Sequence, residues 1–155
     1  MGWYGEQVLP RVIDVACGMT MVVPLRQRVC EHLHGRVLEL GFGSGLNVPY
    51  YPAAVTAVDA VEPSDVAWKL AGKRLAASSV PVRRSALDGE FLPYADHGFD
   101  TAVSTWTLCT IPHPAAALRE VRRVLRPGGT LQLADVVIHH EVSEDARRRI
   151  DLWTG

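Results

Sequence analysis

The segment Glu39-Leu40-Gly41-Phe42-Gly43-Ser44-Gly45 constrains the fold of this chain more than any other. It leaves a short apolar run, 36–40, that reads as a β-strand. Glycine at alternate positions lets the backbone turn through positive φ and brings it close to a ligand with no Cβ in the way. The rest of the chain alternates in the same style. Residues 54–61, 80–84, 99–104 and 130–138 read as further strands, the second of these weak and near an edge because of Pro81. Helical stripes are expected over 7–17 (Val8, Leu9, Val12, Ile13, Ala16) and 22–33 (Val22, Val23, Leu25, Val29, Leu33). Ser64 is the natural N-cap of a helix over 64–77. Pro114 opens another, with Ala117, Leu118, Val121 and Leu125 on its apolar face and Arg126-Pro127-Gly128-Gly129 as its stop. A last helix is expected over 143–153. Strands alternating with helices predict an α/β fold, a mostly parallel sheet with helices on both faces. The 155 residues suit one domain, with 1–34 as a helical cap and 35–155 as the core. Ligands of such sheets lie outside the carboxyl ends of the strands.

The glycine spacing separates two kinds of ligand. A dinucleotide fingerprint, G-x-G-x-x-G, requires glycine at position 46, and Leu46 stands there. Glu39 precedes Gly41 by two residues; a carboxylate there repels a pyrophosphate and suits a cation. S-adenosylmethionine carries a sulfonium and an ammonium and no phosphate, so spacing and charge favour it over NAD. Sixteen basic against seventeen acidic residues leave a net charge of −1, which lacks the basic footprint of a nucleic-acid binder. No apolar stretch is long enough for a membrane span and no secretory leader is evident, so a cytoplasmic protein is expected. Cys17, Cys30 and Cys109 form no CxxC pair and are expected as small buried hydrophobes in a reducing compartment. No metal site is expected.

Four segments in order, VLELGFGSGLN (37–47), AVEPSD (60–65), LDGEFLP (87–93) and ALREVRRVLRPGG (117–129), resemble the class I S-adenosylmethionine-dependent methyltransferases. The likeness is to the methyltransferase type 11 group that includes quinone-biosynthesis and thiol methyltransferases. It implies a Rossmann-like sheet of order 3-2-1-4-5-7-6, of which five strands can be counted here, 3-2-1-4-5, with strands 6 and 7 absent. It implies S-adenosylmethionine as cofactor, held by Glu39, Gly41, Phe42, Gly43, Gly45 and Asn47 of the first segment. Glu62, followed by Pro63, would accept the ribose diol; Asp59 is its rival but lies on the opposite strand face. Asp88 would accept the adenine amino group, with the Gly89 N–H and Leu87 beside the ring. Thr105 and Trp106 would stand at the boundary of cofactor and substrate.

In-line methyl transfer needs alignment and exclusion of water more than a base, so no catalytic residue is assigned. Cys109 is expected to pack, Glu90 to be structural, and His139 and His140 to be solvated loop residues. His113 stands where the family often has a capping Asp, which weakens the cap. The Arg147–Arg149 run is expected as a solvated helix face. Trp3, Tyr4, Val8, Val12, Met19 and Met21 offer an apolar lining, predicting a small apolar or amphipathic acceptor. Glu6 and Asp14 make the same segment a poor match to an anionic membrane. The fifth strand would form an edge open to pairing with a second copy. Two readings compete: an S-adenosylmethionine-binding protein without turnover, for which the short carboxyl end speaks, and an NAD-dependent oxidoreductase.

Overall fold

The computed structural model describes residues 8–136. Five strands, β1 (Gly35–Leu40), β2 (Val55–Val61), β3 (Val82–Ala86), β4 (Phe99–Thr105) and β5 (Leu125–Ala134), form one sheet. Its order is β3-β2-β1-β4-β5 and every pairing is parallel. The α/β architecture and strand order expected from the sequence are those observed. The helices are α1 (Leu9–Cys17), α2 (Val23–Cys30), α3 (Asp65–Leu70), α4 (Gly72–Ala76) and α5 (Pro114–Val124).

Side-chain alternation along the strands builds a core on each face. Leu38, Leu40 and Ala102 meet Ala117, Val121 and Val124 of α5. Val37, Val58 and Val103 point the other way, against Val29, Cys30 and Leu33 from α2 and the turn after it. Period two in the strands and period 3.6 in the helices thus select the same two layers. Asp59 is a buried acid on this scaffold, held by Arg36 at 2.8 Å, by Ser85 at 2.9 Å and by Arg83. Burial pushes its pKa up, but the bonds from Arg83, Arg36 and Ser85 outweigh that and hold it low. It is an internal strut of β2.

Several expectations differ from the structure for physical reasons. The helix expected over 64–77 is two short helices, α3 and α4, divided at Ala71. α5 ends at Val124, ahead of the expected stop at 126–129, and Leu125, expected on its apolar face, is already extended and opens β5. Its pairing with β4 jumps from Phe99–Leu125 to Thr101–Thr130, so the Pro-Gly segment bulges within the strand instead of preceding it. Cys30 is buried, and burial lifts its thiol to about 12, but Cys17 is half-buried and Cys109 is exposed. Only one of the three is therefore the buried hydrophobe expected. The helix expected over 143–153, His139, His140, the arginine run, Trp3, Tyr4 and Glu6 lie outside the described residues. No helix among the described residues is long and apolar enough to cross a membrane. No cluster of three metal-ligating side chains occurs among them either.

Candidate functional site

A cavity of about 390 Å³ opens at the carboxyl ends of the strands, within the size range of small-molecule sites. Its floor is the loop after β1. Gly41 has φ +74°, and a Cβ there would overlap the Thr107 side chain, so the loop lies directly against the turn after β4. Gly43 has φ +58° and open space where a Cβ would stand, which leaves its backbone bare toward the cavity.

Glu62 closes β2 and ties this loop in place. One carboxylate oxygen accepts the Gly43 N–H at 2.6 Å and the other accepts the Ser64 N–H at 2.7 Å. Ser64 in turn caps α3, its Oγ accepting from the Ala67 N–H at 3.1 Å. Burial pushes the Glu62 pKa up, against the two backbone N–H groups and Arg84. The glycine-loop N–H is thus already spent on a carboxylate, and a pyrophosphate entering here would meet that carboxylate. This disfavours a dinucleotide.

Ten of the thirteen residues expected at the site line the cavity: Gly41, Phe42, Gly43, Glu62, Pro63, Leu87, Asp88, Gly89, Thr105 and Trp106. Asp88 is exposed, and its carboxylate accepts the Glu90 N–H at 2.8 Å in a local turn. Glu90, which also lines the cavity, accepts from the His113 N–H at 3.0 Å and contacts its Nδ1 at 2.9 Å. The sheet order puts Glu62 and Asp88 on one side of β1 and Thr105 with Trp106 on the other. Trp106 has φ +52°, rare for a bulky residue, and its N–H is fixed by the Ala134 carbonyl at 2.8 Å.

Glu39, Gly45 and Asn47 do not line the cavity. Glu39 is 1% exposed, accepting from Asn47 Nδ2 at 2.9 Å and from the Tyr51 hydroxyl. Burial lifts its pKa to about 7, with the Tyr51 and Asn47 bonds opposing. Glu39 therefore stands behind the wall and acts through Asn47, whose Oδ1 accepts from Arg26 Nη1 at 2.7 Å. Arg26, from α2, does line the cavity, and sequence reasoning missed it. The signal was there: Arg26 falls on the same helical stripe as Val22, Val29 and Leu33. Cys17 and Ile13 of α1 and Thr107 and Ile111 after β4 complete a largely apolar mouth, whereas Val8, Val12, Met19 and Met21, expected as its lining, do not reach the cavity, the last three facing outward and exposed.

The residues present fit an adenosyl sulfonium with an amino-acid tail. They supply a bare glycine turn, an acid at the end of β2 and a buried arginine opposite. The family described as "Methyltransferase domain" matches residues 38–133. The chain belongs to this methyltransferase family. It is 30% identical over 134 residues to a phosphatidylethanolamine N-methyltransferase of Cereibacter sphaeroides, covering 83% of this chain and 63% of that protein. It is 38% identical over 98 residues to the thiol S-methyltransferase TMT1B of Homo sapiens, covering 61% of this chain and 40% of that one. Among solved structures, the [4+2]-cyclase SpnF is similar with a TM-score of 0.62 and 32% identity, over 70% of this chain and 43% of that one. The methyltransferase chain spans about half the length of the curated relatives it matches.

Proposed function

We propose that this methyltransferase-family chain transfers the methyl group of S-adenosylmethionine, in line, to a small apolar or amphipathic acceptor. The observation that carries the reading is Glu62, buried at the end of β2 and bonded to the bare glycine turn on the cavity floor. When bound, the cofactor supplies an electrophilic methyl on a sulfonium. Glu62 would accept the ribose hydroxyls through its outer lone pairs while its bonds to Gly43 and Ser64 hold it still. Asp88, the Gly89 N–H and Leu87 would border the base. Trp106 offers a flat face beside a cation. Leu9, Pro10 and Ile13 of α1 would keep water out and give the acceptor an apolar berth.

The apolar mouth supports the acceptor class. So do the names of two relatives, one acting on a phospholipid and one on thiols. The unpaired Cys17, Cys30 and Cys109 support a reducing compartment such as the cytoplasm. The test is transfer of a labelled methyl group to a panel of thiols, phenols and lipids. Label appearing in at least one class is expected; saturable binding with no transfer to any acceptor would overturn the proposal. That outcome would favour a second reading, a family member that binds the cofactor and catalyses no methyl transfer. The likeness to a protein named as a [4+2]-cyclase keeps that reading specific.

A further inference from the structure

We infer that the corner formed by α1, the turn Thr20–Val22 and α2 is a docking surface for an anionic lipid bilayer. The inference deepens the methyltransferase reading and rests on it: the acceptor becomes an amphiphile taken up from that surface. Among the described residues, large apolar side chains left exposed gather at this corner: Val12, Ile13, Val15, Met19, Met21 and Leu25. Val15 is 72% exposed and Met21 76%. Only Arg11 and Asp14 interrupt the apolar surface of α1, and none of its residues is buried. A helix that is apolar on nearly every side is normally enclosed, so this one lacks a covering partner. At about 100° per residue, Leu9, Ile13, Cys17 and Pro10 share one arc of α1 and line the cavity. Ala16, Val12 and Val15 carry the apolar surface round to the outside.

Charge decides between kinds of surface. Asp14 is one of the two acids that count against an anionic membrane in the sequence. The structure turns it inward, where its Oδ1 accepts from Ser44 Oγ at 2.6 Å and from Arg74 Nη1 at 3.0 Å. The exposed charged residues over 8–30 are then Arg11 and Arg28, both cationic. Arg28 follows Met21 and Leu25 on one helical stripe. Glu31, exposed at the C-cap of α2, falls to the side of Pro24 and Gln27. An apolar face with cations beside it settles into the head-group region without spanning the bilayer. The arc that runs on into the cavity favours lipid over protein. A protein seated on α1 would close the mouth. A bilayer lets an acyl chain pass from Val12 and Val15 over Ile13 into the cavity without leaving apolar contact. Met19 and Met21, unbranched and flexible, suit a fluid partner.

Flotation of the full chain with vesicles tests the inference without turnover. The chain is expected to float with vesicles of phosphatidylcholine mixed with phosphatidylglycerol, and about 10-fold more weakly with phosphatidylcholine alone, because each cation near the surface adds to binding. The double variant Val15→Asp, Met21→Asp alters two side chains that line neither the cavity nor the core. It should bind the mixed vesicles at least about 10-fold more weakly, while calorimetric titration with S-adenosylmethionine matches that of the unmutated chain. Failure to float, or flotation indifferent to vesicle charge or to the two substitutions, overturns the inference. So does a dimer in sedimentation velocity that the two substitutions dissolve while no vesicle is bound, which assigns the corner to a second copy. Each of these results leaves the methyltransferase reading intact. An unmutated chain that floats as expected but binds no S-adenosylmethionine overturns that reading, and the acceptor class with it, and leaves the docking surface.

Discussion

Glu39→Gln offers a prediction that separates the buried network from the cavity it supports. Glu39 is wholly enclosed, with Tyr51 and Asn47 as donors and Arg26 and Glu62 as the charged groups that act on it. Burial is the largest influence and carries its pKa from an ordinary 4.5 to about 7. The folded state therefore holds this proton more tightly than the unfolded one. The contribution is fully present below pH 4.5, declines as pH rises toward about 7, and is flat above. At about 1.4 kcal/mol per tenfold in proton affinity, the decline amounts to about 3 kcal/mol. Glutamine keeps the shape and offers an oxygen to Asn47, and it has no proton to lose. Urea denaturation at pH 4.5 and pH 8 measures the effect, read as the variant's stability minus that of the unmutated chain. Other carboxylates, such as Glu120 near 2 beside Arg123, affect both proteins alike and cancel. The difference should move in the variant's favour by about 3 kcal/mol between the two pH values. Parallel pH profiles, or a glutamine variant that loses ground at pH 8, would refute the reasoning by showing that folding does not raise the Glu39 pKa.

Three further perturbations address the frame of the site. Gly41→Ala forces a Cβ into Thr107 at φ +74° and should cost at least about 2 kcal/mol in chemical denaturation. Ser64→Ala removes the α3 cap and should cost about 1 kcal/mol, seen as a melting temperature lower by about 3 °C. β5 is an edge of the described sheet with Leu133 exposed, so sedimentation velocity should show concentration-dependent self-association that Leu133→Lys weakens; a monomer at all concentrations would remove the pairing proposal.

The sheet was legible in the sequence because period-two burial and the glycine turn point to the same crevice. Topology puts the ends of β2, β3 and β4 beside that crevice, and the family resemblance singled out Glu62, Asp88 and Thr105 there. What escaped was set by tertiary context. Arg26 sits on an apolar helical stripe, where a single basic residue looks like an interruption; only Trp106, Asn47 and Thr105, distant in sequence, make it part of the wall. Glu39 was legible as a charge, but whether it faces the crevice or the core depends on Tyr51 and Asn47 folding back from the turn that follows. The Pro-Gly segment after α5 carries a stop signal, and β5 absorbs it as a bulge because Leu125 already pairs with Phe99.

The central claim is that the cavity takes an adenosyl sulfonium and not a dinucleotide. Titrating the purified chain and its Glu62→Ala variant with S-adenosylmethionine and, separately, with NAD tests it most directly. Saturable binding of S-adenosylmethionine, lost or strongly weakened in Glu62→Ala, with no comparable binding of NAD, is the predicted result. Tight NAD binding, or S-adenosylmethionine binding indifferent to the loss of the Glu62 carboxylate, would contradict it.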